Sequence, residues 1–279
     1  MRFAFKTANQ NTTWADVLAV WKEADDIELF ESGWLFDHFY PIQSDSSGPC
    51  LEGWMLLASL AQATRRLRMG TLVTGIHYRH PAVLANMAAT VDIVSGGRLE
   101  LGIGAGWNEE ESGAYGIELG SPAERSDRFE EACQVLIGLL SQETTDFDGK
   151  YYQLAGARNE PKGPQRPHPP ICIGGSGEKR TLRTVAKYAQ HWNFVGGTPE
   201  EFARKRDVLY AHCEDVGRDP KEITLSSHVR LDSPAEVTKA ADTAAALGEV
   251  GVDLAIVYLL PPLGPAVLTP LADALAALS

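Results

Sequence analysis

The chain has no run of eighteen apolar residues, so it offers nothing long enough to cross a membrane as a helix. No apolar stretch follows its opening MRFAFKTANQ as one would in a secretory leader, and the expectation is a cytoplasmic protein. Cysteine is scarce: Cys50, Cys133, Cys172 and Cys213 stand far apart with no CxxC pair, which reads as reduced, mostly buried thiols. Positive charge is also short. With 25 Lys and Arg against 37 Asp and Glu, the net charge of −12 argues against nucleic acid or an anionic membrane as the main partner. An anionic ligand therefore needs a local positive patch. His77, His80 and His168 lack HxH or HExxH spacing and read as solvent or loop histidines, so no metal is expected. The GGSG around Ser176 is not a G-x-S-x-G elbow, and a hydrolase triad has no support.

What is present concentrates between Leu67 and Trp107, RLRMGTLVTGIHYRHPAVLANMAATVDIVSGGRLELGIGAGW from Arg66 onward. Leu67 to Thr74 alternates and is β-branched, as a strand is. Pro81 opens a helix at its first position, where the missing N–H costs nothing, and Ser95-Gly96-Gly97 ends it. The strand Leu99 to Ile103 then finishes on Gly104-Ala105-Gly106-Trp107, placing bare backbone and one large aromatic at its carboxyl end. In βα architectures that end faces the ligand.

The same alternation runs through the rest. Strands are expected at Arg2 to Thr7, Gly33 to Phe36, Ile171 to Ile173, Trp192 to Val195, Ile223 to Val229 and Leu254 to Leu259. Helices are expected from Trp14 to Phe30, Leu51 to Ala63, Ser121 to about Leu140, and from about Glu178, Pro199 and Pro234, with one more near the carboxyl terminus. Thr145 to Leu154 reads as a hairpin around Asp148-Gly149. The loop from Tyr40 to Cys50 is too long for a turn and is a candidate pocket wall. Eight strand–helix alternations in 279 residues point to one α/β domain over residues 1–279, a (β/α)8 barrel. A doubly wound sheet is the weaker reading, since no GxGxxG follows the first strand.

Several residues could carry chemistry. Asp37-His38 ends an apolar strand, so a carboxylate and a titratable imidazole emerge together at the catalytic face. A capping Asp and a partly buried His are the plain alternative. Gly70 to Gly75, with Thr71, Leu72 and Thr74 between the glycines, would let a flat ligand lie on backbone, or would form a β-bulge. Gly174-Gly175-Ser176-Gly177 sits between a strand and a helix start, followed by Lys179 and Arg180, an arrangement suited to an anion. Arg125 is a possible second cation or a surface arginine. Glu109, Glu110 and Glu111 read as a solvated helix start favoured by the dipole, with no catalytic part.

These segments together resemble the luciferase-like monooxygenase superfamily, in the coenzyme F420-dependent oxidoreductase branch common in actinobacteria. The marks are LFDHFYPI at 35–42, the 67–107 block, ERSDRFEEACQVL at 124–136, EPKGPQRPHPPICIGGSGEKRTLRTVAKYAQHWN at 160–193 and the late LLPPLGPAVLTPLADAL. The resemblance covers nearly the whole chain. It implies a TIM-type barrel with an insertion segment, a homodimer, and a deazaflavin or flavin over the barrel's carboxyl end. A non-prolyl cis peptide near Thr71-Leu72 would support the ring. Asp37 and His38 would stand at the ring edge, with His38 near the hydride-accepting carbon. Gly104, Ala105 and Gly106 would line the ring, and Gly174 to Gly177 would hold the phosphate. Relatives that oxidise a sugar phosphate have a carboxylate where this chain has Trp107. That departure implies a flatter, more apolar substrate, with Phe39, Tyr40, Trp54, Trp107 and Tyr115 as its aromatic wall.

The function implied is an enzyme that transfers a hydride between coenzyme F420 and a small organic substrate, with His38 handling the proton. Two alternatives stay open: an FMN-dependent monooxygenase supplied by a flavin reductase, and a non-catalytic flavin- or deazaflavin-binding protein. Arg125, Lys179, Arg180 and Lys187 are the cations available to the anionic tail of F420.

Overall fold

Alternation along the first strand sets the plan of the molecule. In β1 (Arg2–Thr7), Phe3 and Phe5 face outward into the main core while Ala4 and Lys6 face inward. A computed structural model describes residues 1–43, 45–262 and 264–278. Ser44, in the expected pocket-wall loop, and Leu263, in the late motif, lie outside the described residues.

Helix α1 (Trp14–Asp26), capped by Thr13, lays Val17, Val20 and Trp21 over the outer face, where Trp21 meets Phe5 edge-on with ring centroids 5.2 Å apart. It stops at Asp26 rather than Phe30 because Arg66 takes the carbonyls of Ala24, Ile27 and Phe30, while Asp25 accepts the amides of Arg65, Arg66 and Leu67. The chain then enters β2 (Phe30–Asp37), followed by α2 (Gly53–Ala63), β3 (Arg68–Gly75), α3 (Pro81–Val94), β4 (Leu99–Gly104) and the short α4 (Glu109–Ala114). Helix α5 (Pro122–Ser141) starts with the capping box of Ser121 and Glu124. The hairpin of β5 (Thr145–Asp148) and β6 (Gln153–Ala157) stands apart as a two-stranded sheet.

Next come β7 (Ile171–Gly174), α6 (Thr181–Tyr188), β8 (His191–Phe194), α7 (Pro199–Val216), β9 (Thr224–Leu231), α8 (Val237–Glu249), β10 (Leu254–Leu259) and α9 (Leu268–Ala276). Helix α6 begins three residues later than Glu178, which turns outward to pair with Arg204 and Lys205. Pro234–Glu236 is a 3₁₀ turn before α8 rather than its first turn. Strand order β1-β10-β9-β8-β7-β4-β3-β2 closes on itself with every pair parallel. This is the (β/α)8 barrel that the alternation predicts, and the open sheet is excluded.

One irregularity shapes the barrel mouth. The register of β3 slips against β2 between Leu35 and Asp37, and against β4 between Gly70 and Thr74. This bulge drives the Thr71 carbonyl against Gly102, where an added Cβ would lie 1.7 Å from that oxygen. It also swings Val73 over Gly104 and Gly174, whose added Cβ atoms would come within 2.8 and 3.0 Å of Val73 methyls. The cis peptide falls at Leu72–Val73, one bond beyond the expected position. Inside the barrel, Ala4, Trp34, Leu72, Cys172, Leu254 and Ile256 form an apolar plug, and the space above it is the cavity described next.

Candidate active site

The cavity opens at the carboxyl end of the strands and holds about 730 Å³, within the range of small-molecule sites. One side is His38, Tyr78 and Trp107 above the Val73 platform, with the strand ends Gly104-Ala105-Gly106 and Gly174-Gly175 beneath it. The lining also carries polar residues, Lys6, Asn193, His228, Arg230 and Tyr258.

His38 is held from behind. Its Nδ1 lies 2.7 Å from Glu111 Oε2, and Glu111 Oε1 accepts the Phe39 amide at 2.5 Å. The Tyr78 hydroxyl donates to the same Oε2. Burial alone would raise the Glu111 carboxyl, but these hydrogen bonds outweigh it and hold it below the ordinary carboxylate range. An ionised Glu111 can only accept, so Nδ1 carries the proton and Nε2 is left to meet a ligand. Trp107, 61 % exposed, stands edge-on to His38 with centroids 5.8 Å apart. Glu111 is fully buried, which overturns its reading as part of a solvated helix start; Glu109 and Glu110 do remain exposed. The missed signal was spacing. Trp107, Glu111 and Tyr115 recur every four residues from before α4 to its end, and each meets the chain leaving β2, at His38 or Phe39.

The structure brings His38, Leu72, Gly104, Ala105, Gly106, Trp107, Gly174 and Gly175 to the cavity wall, and leaves the other candidates behind it. Asp37 is buried in a two-point ion pair with Arg79, at 2.6 and 3.0 Å, and Arg79 also reaches Glu52 at 2.6 Å. Thr71 and Thr74 bond each other at 2.8 Å, and Trp54 Nε1 donates to Thr74 Oγ1 at 2.9 Å, which makes all three core. Phe39 and Tyr115 pack against each other with tilted rings, centroids 4.6 Å apart, outside the cavity lining. Ser176 and Gly177 lie beyond the Gly174-Gly175 edge, and Arg125 stands behind the wall, 3.5 Å from the Gly106 carbonyl. Two of the expected tail cations are already paired, Arg180 with Asp127 and Lys187 with Glu130; Lys179 is exposed. His77 is half-buried against Ser112 at 3.1 Å, and burial lowers it to about 4, so it is not a solvent histidine. His80 caps α3.

Lys6, Asn193, His228 and Tyr258 escaped the sequence reading. Their signal was a polar residue at an inward position of an apolar strand, Lys6 two beyond Ala4 and His228 two beyond Ser226.

Fold and site together define a (β/α)8 barrel with a cavity over its strand ends. The chain belongs to the luciferase-like monooxygenase family, whose model matches residues 1–253. It is 33 % identical over 182 residues to the pyrimidine monooxygenase RutA of Agrobacterium fabrum, covering 63 % of this chain and 49 % of that protein. It is 34 % identical over 177 residues to the phthiodiolone/phenolphthiodiolone dimycocerosates ketoreductase of Mycobacterium bovis, covering 62 % and 45 %. The chain thus spans about half the length of these relatives. Among solved structures, an F420-dependent secondary alcohol dehydrogenase superposes with a TM-score of 0.85 at 19 % identity, covering 98 % of both chains. The coenzyme F420-dependent tetrahydromethanopterin reductase of Methanopyrus kandleri gives 0.76 at 17 %, covering 99 % and 96 %. At such identities the structural likeness shows the fold.

Proposed function

We propose that this protein transfers a hydride between coenzyme F420 and a small organic substrate that exchanges a hydride and a proton together, as an alcohol and its carbonyl do. The observation that carries the reading is the His38–Glu111 pair on the wall of the cavity. The cavity fits a planar ring ligand: Val73 makes an apolar platform over strand ends without side chains, and Lys6, against the Leu72 carbonyl, and His228, with its Nε2 unpaired, add polar groups to the same lining. A bound deazaflavin supplies the carbon that gives or takes the hydride.

The chain's own residues do the rest. Gly104, Gly106, Gly174 and Gly175 keep the bed flat. Glu111 fixes the His38 tautomer, so Nε2 accepts the proton of a substrate hydroxyl and the resulting imidazolium is stabilised by the carboxylate behind it. Run in reverse, the same nitrogen returns the proton. Trp107 supplies an aromatic edge beside His38 where a carboxylate would instead favour a polar sugar.

Similarity to the pyrimidine monooxygenase favours one alternative, an FMN-dependent monooxygenase using the same bed. A titration of the purified protein with F420 and, separately, with FMN decides between them. Micromolar or tighter F420 binding with much weaker FMN binding is the expected result. The reverse preference overturns the deazaflavin reading and directs the search to a reductase partner and oxygen.

A further inference from the structure

Lys6 is 2 % exposed, inside the barrel, on the cavity wall. Buried lysines are almost always paired with a carboxylate. Here Nζ donates to the Leu72 carbonyl at 2.8 Å and lies 3.6 Å from the centre of the Phe36 ring and 5.4 Å from that of Tyr258. Among the described residues it has no carboxylate partner. An ammonium has three donors and Leu72 takes one, so among the described residues two have no oxygen acceptor. The polar atoms beside it are equally unmet. His228 Nε2 is buried without a partner, and the Tyr258 hydroxyl is buried beside Gln10. Burial and the charge of Lys6 keep His228 well below its ordinary range, so it is neutral and does not compete for an anion.

We propose that Lys6 is the counter-charge for an anionic oxygen or ring edge of the planar ligand in this cavity, with His228 and Tyr258 receiving the polar atoms next to it. The inference rests on the ring-cofactor reading above and adds which part of the ring enters first: its charged, oxygen-bearing edge, down against β1, while the reacting face stays by His38. Burial lowers Lys6 to about 7 in the protein alone, and an anion on Nζ restores the charge. The ring of F420 has an ionisable hydroxyl, and reduced FMN carries negative charge on its pyrimidine edge. Both present the chemistry that an unpaired buried ammonium calls for.

The test compares wild type with Lys6→Met, which keeps the stem and removes the charge. Each protein is titrated with F420 and FMN, and the absorption band of bound F420, which changes when its ring hydroxyl ionises, is followed against pH. In wild type the bound hydroxyl should ionise about 1–3 pH units below its value in Lys6→Met, and affinity should fall about tenfold or more in the variant. If FMN is the ring that binds, the midpoint potential of bound FMN should fall in Lys6→Met. Equal affinity with an unmoved ionisation or potential overturns the role of Lys6 and leaves the cofactor reading standing. Failure of both rings to bind wild type overturns the cofactor reading and this inference with it. Should Lys6→Met not fold, protection of the Lys6 amine from reductive methylation by bound ring in wild type decides: protection supports the inference, and unchanged labelling overturns it.

Discussion

Glu111 Oε2 accepts from His38 Nδ1 at 2.7 Å across the mouth of the barrel, joining the first turn of α4 to the exit of β2. Two segments that are 73 residues apart therefore hold one imidazole, and Tyr78, just beyond β3, donates to the same oxygen. Glu111→Gln keeps the shape and removes the fixed acceptor. Turnover of the substrate that a screen of alcohols and ketones recovers should fall by about 10²-fold or more, while cofactor affinity moves less than about threefold, because Glu111 is not on the cavity wall. Nitrogen NMR of His38 should show a mixed tautomer in place of one protonated at Nδ1. Unchanged turnover together with an unchanged tautomer would remove Glu111 from the mechanism.

Asp37 is adjacent to His38 in sequence and yet serves a different purpose. Its carboxylate is 1 % exposed and holds Arg79, which in turn holds Glu52 at the cap of α2. Removing the arginine leaves a buried, unpaired carboxylate. Arg79→Met should lower unfolding free energy by about 3–5 kcal/mol, whereas Asp37→Asn/Arg79→Met should recover most of that loss. Denaturant unfolding of the three proteins measures it. A double variant that is no more stable than Arg79→Met would show that the pair matters for more than charge balance.

The barrel was legible because alternation and turn chemistry act locally. Pro81, Ser121 and Pro199 mark helix starts that the structure keeps. The site was legible only where the cue was also local, as with His38 at a strand exit and the bare ends at Gly104 and Gly174. Adjacent residues of a strand point to opposite faces, so His38 lines the cavity while Asp37 lies behind it. Glu111, Lys6 and His228 have only faint local cues, a spacing or an inward strand position, because what they meet lies on strands or helices far apart in sequence.

The Thr71 carbonyl is pressed into the backbone of Gly102 by the bulge in β3. A Cβ there would meet backbone oxygen, which cannot rotate away as a flexible side chain can. Gly102→Ala should therefore destabilise the protein by about 1–3 kcal/mol or more, and it should also weaken ring binding, because relief of the clash moves Val73 off the strand ends. Thermal unfolding and the F420 titration check both parts. A variant with wild-type melting temperature and affinity would show that β3 can shift without disturbing the platform.

At the opposite end of the barrel interior, away from the cavity, His191 Nδ1 lies 3.1 Å from Glu100 Oε2, and Arg68 donates to the other carboxylate oxygen at 2.9 Å. Burial alone would raise Glu100, but His191 and Arg68 bring it down to about 2 from the usual 4.5. Burial alone would lower His191, but the neighbouring Cys172 and Glu100 raise it to about 10 from the usual 6.5. The folded-state value of Glu100 is depressed, so its contribution is present above about 4.5 and is lost as pH falls through about 2. The folded-state value of His191 is raised, so its contribution is complete below about 6.5 and is lost as pH rises through about 10. The pair should therefore stabilise the fold most between those two ordinary values, from about 4.5 to 6.5. Melting temperatures of wild type and Glu100→Gln across pH 3 to 9, on the order of that window and its flanks, should differ most inside it and converge on both sides. A gap that stays constant with pH would mean that Glu100 acts through packing rather than through its charge on His191.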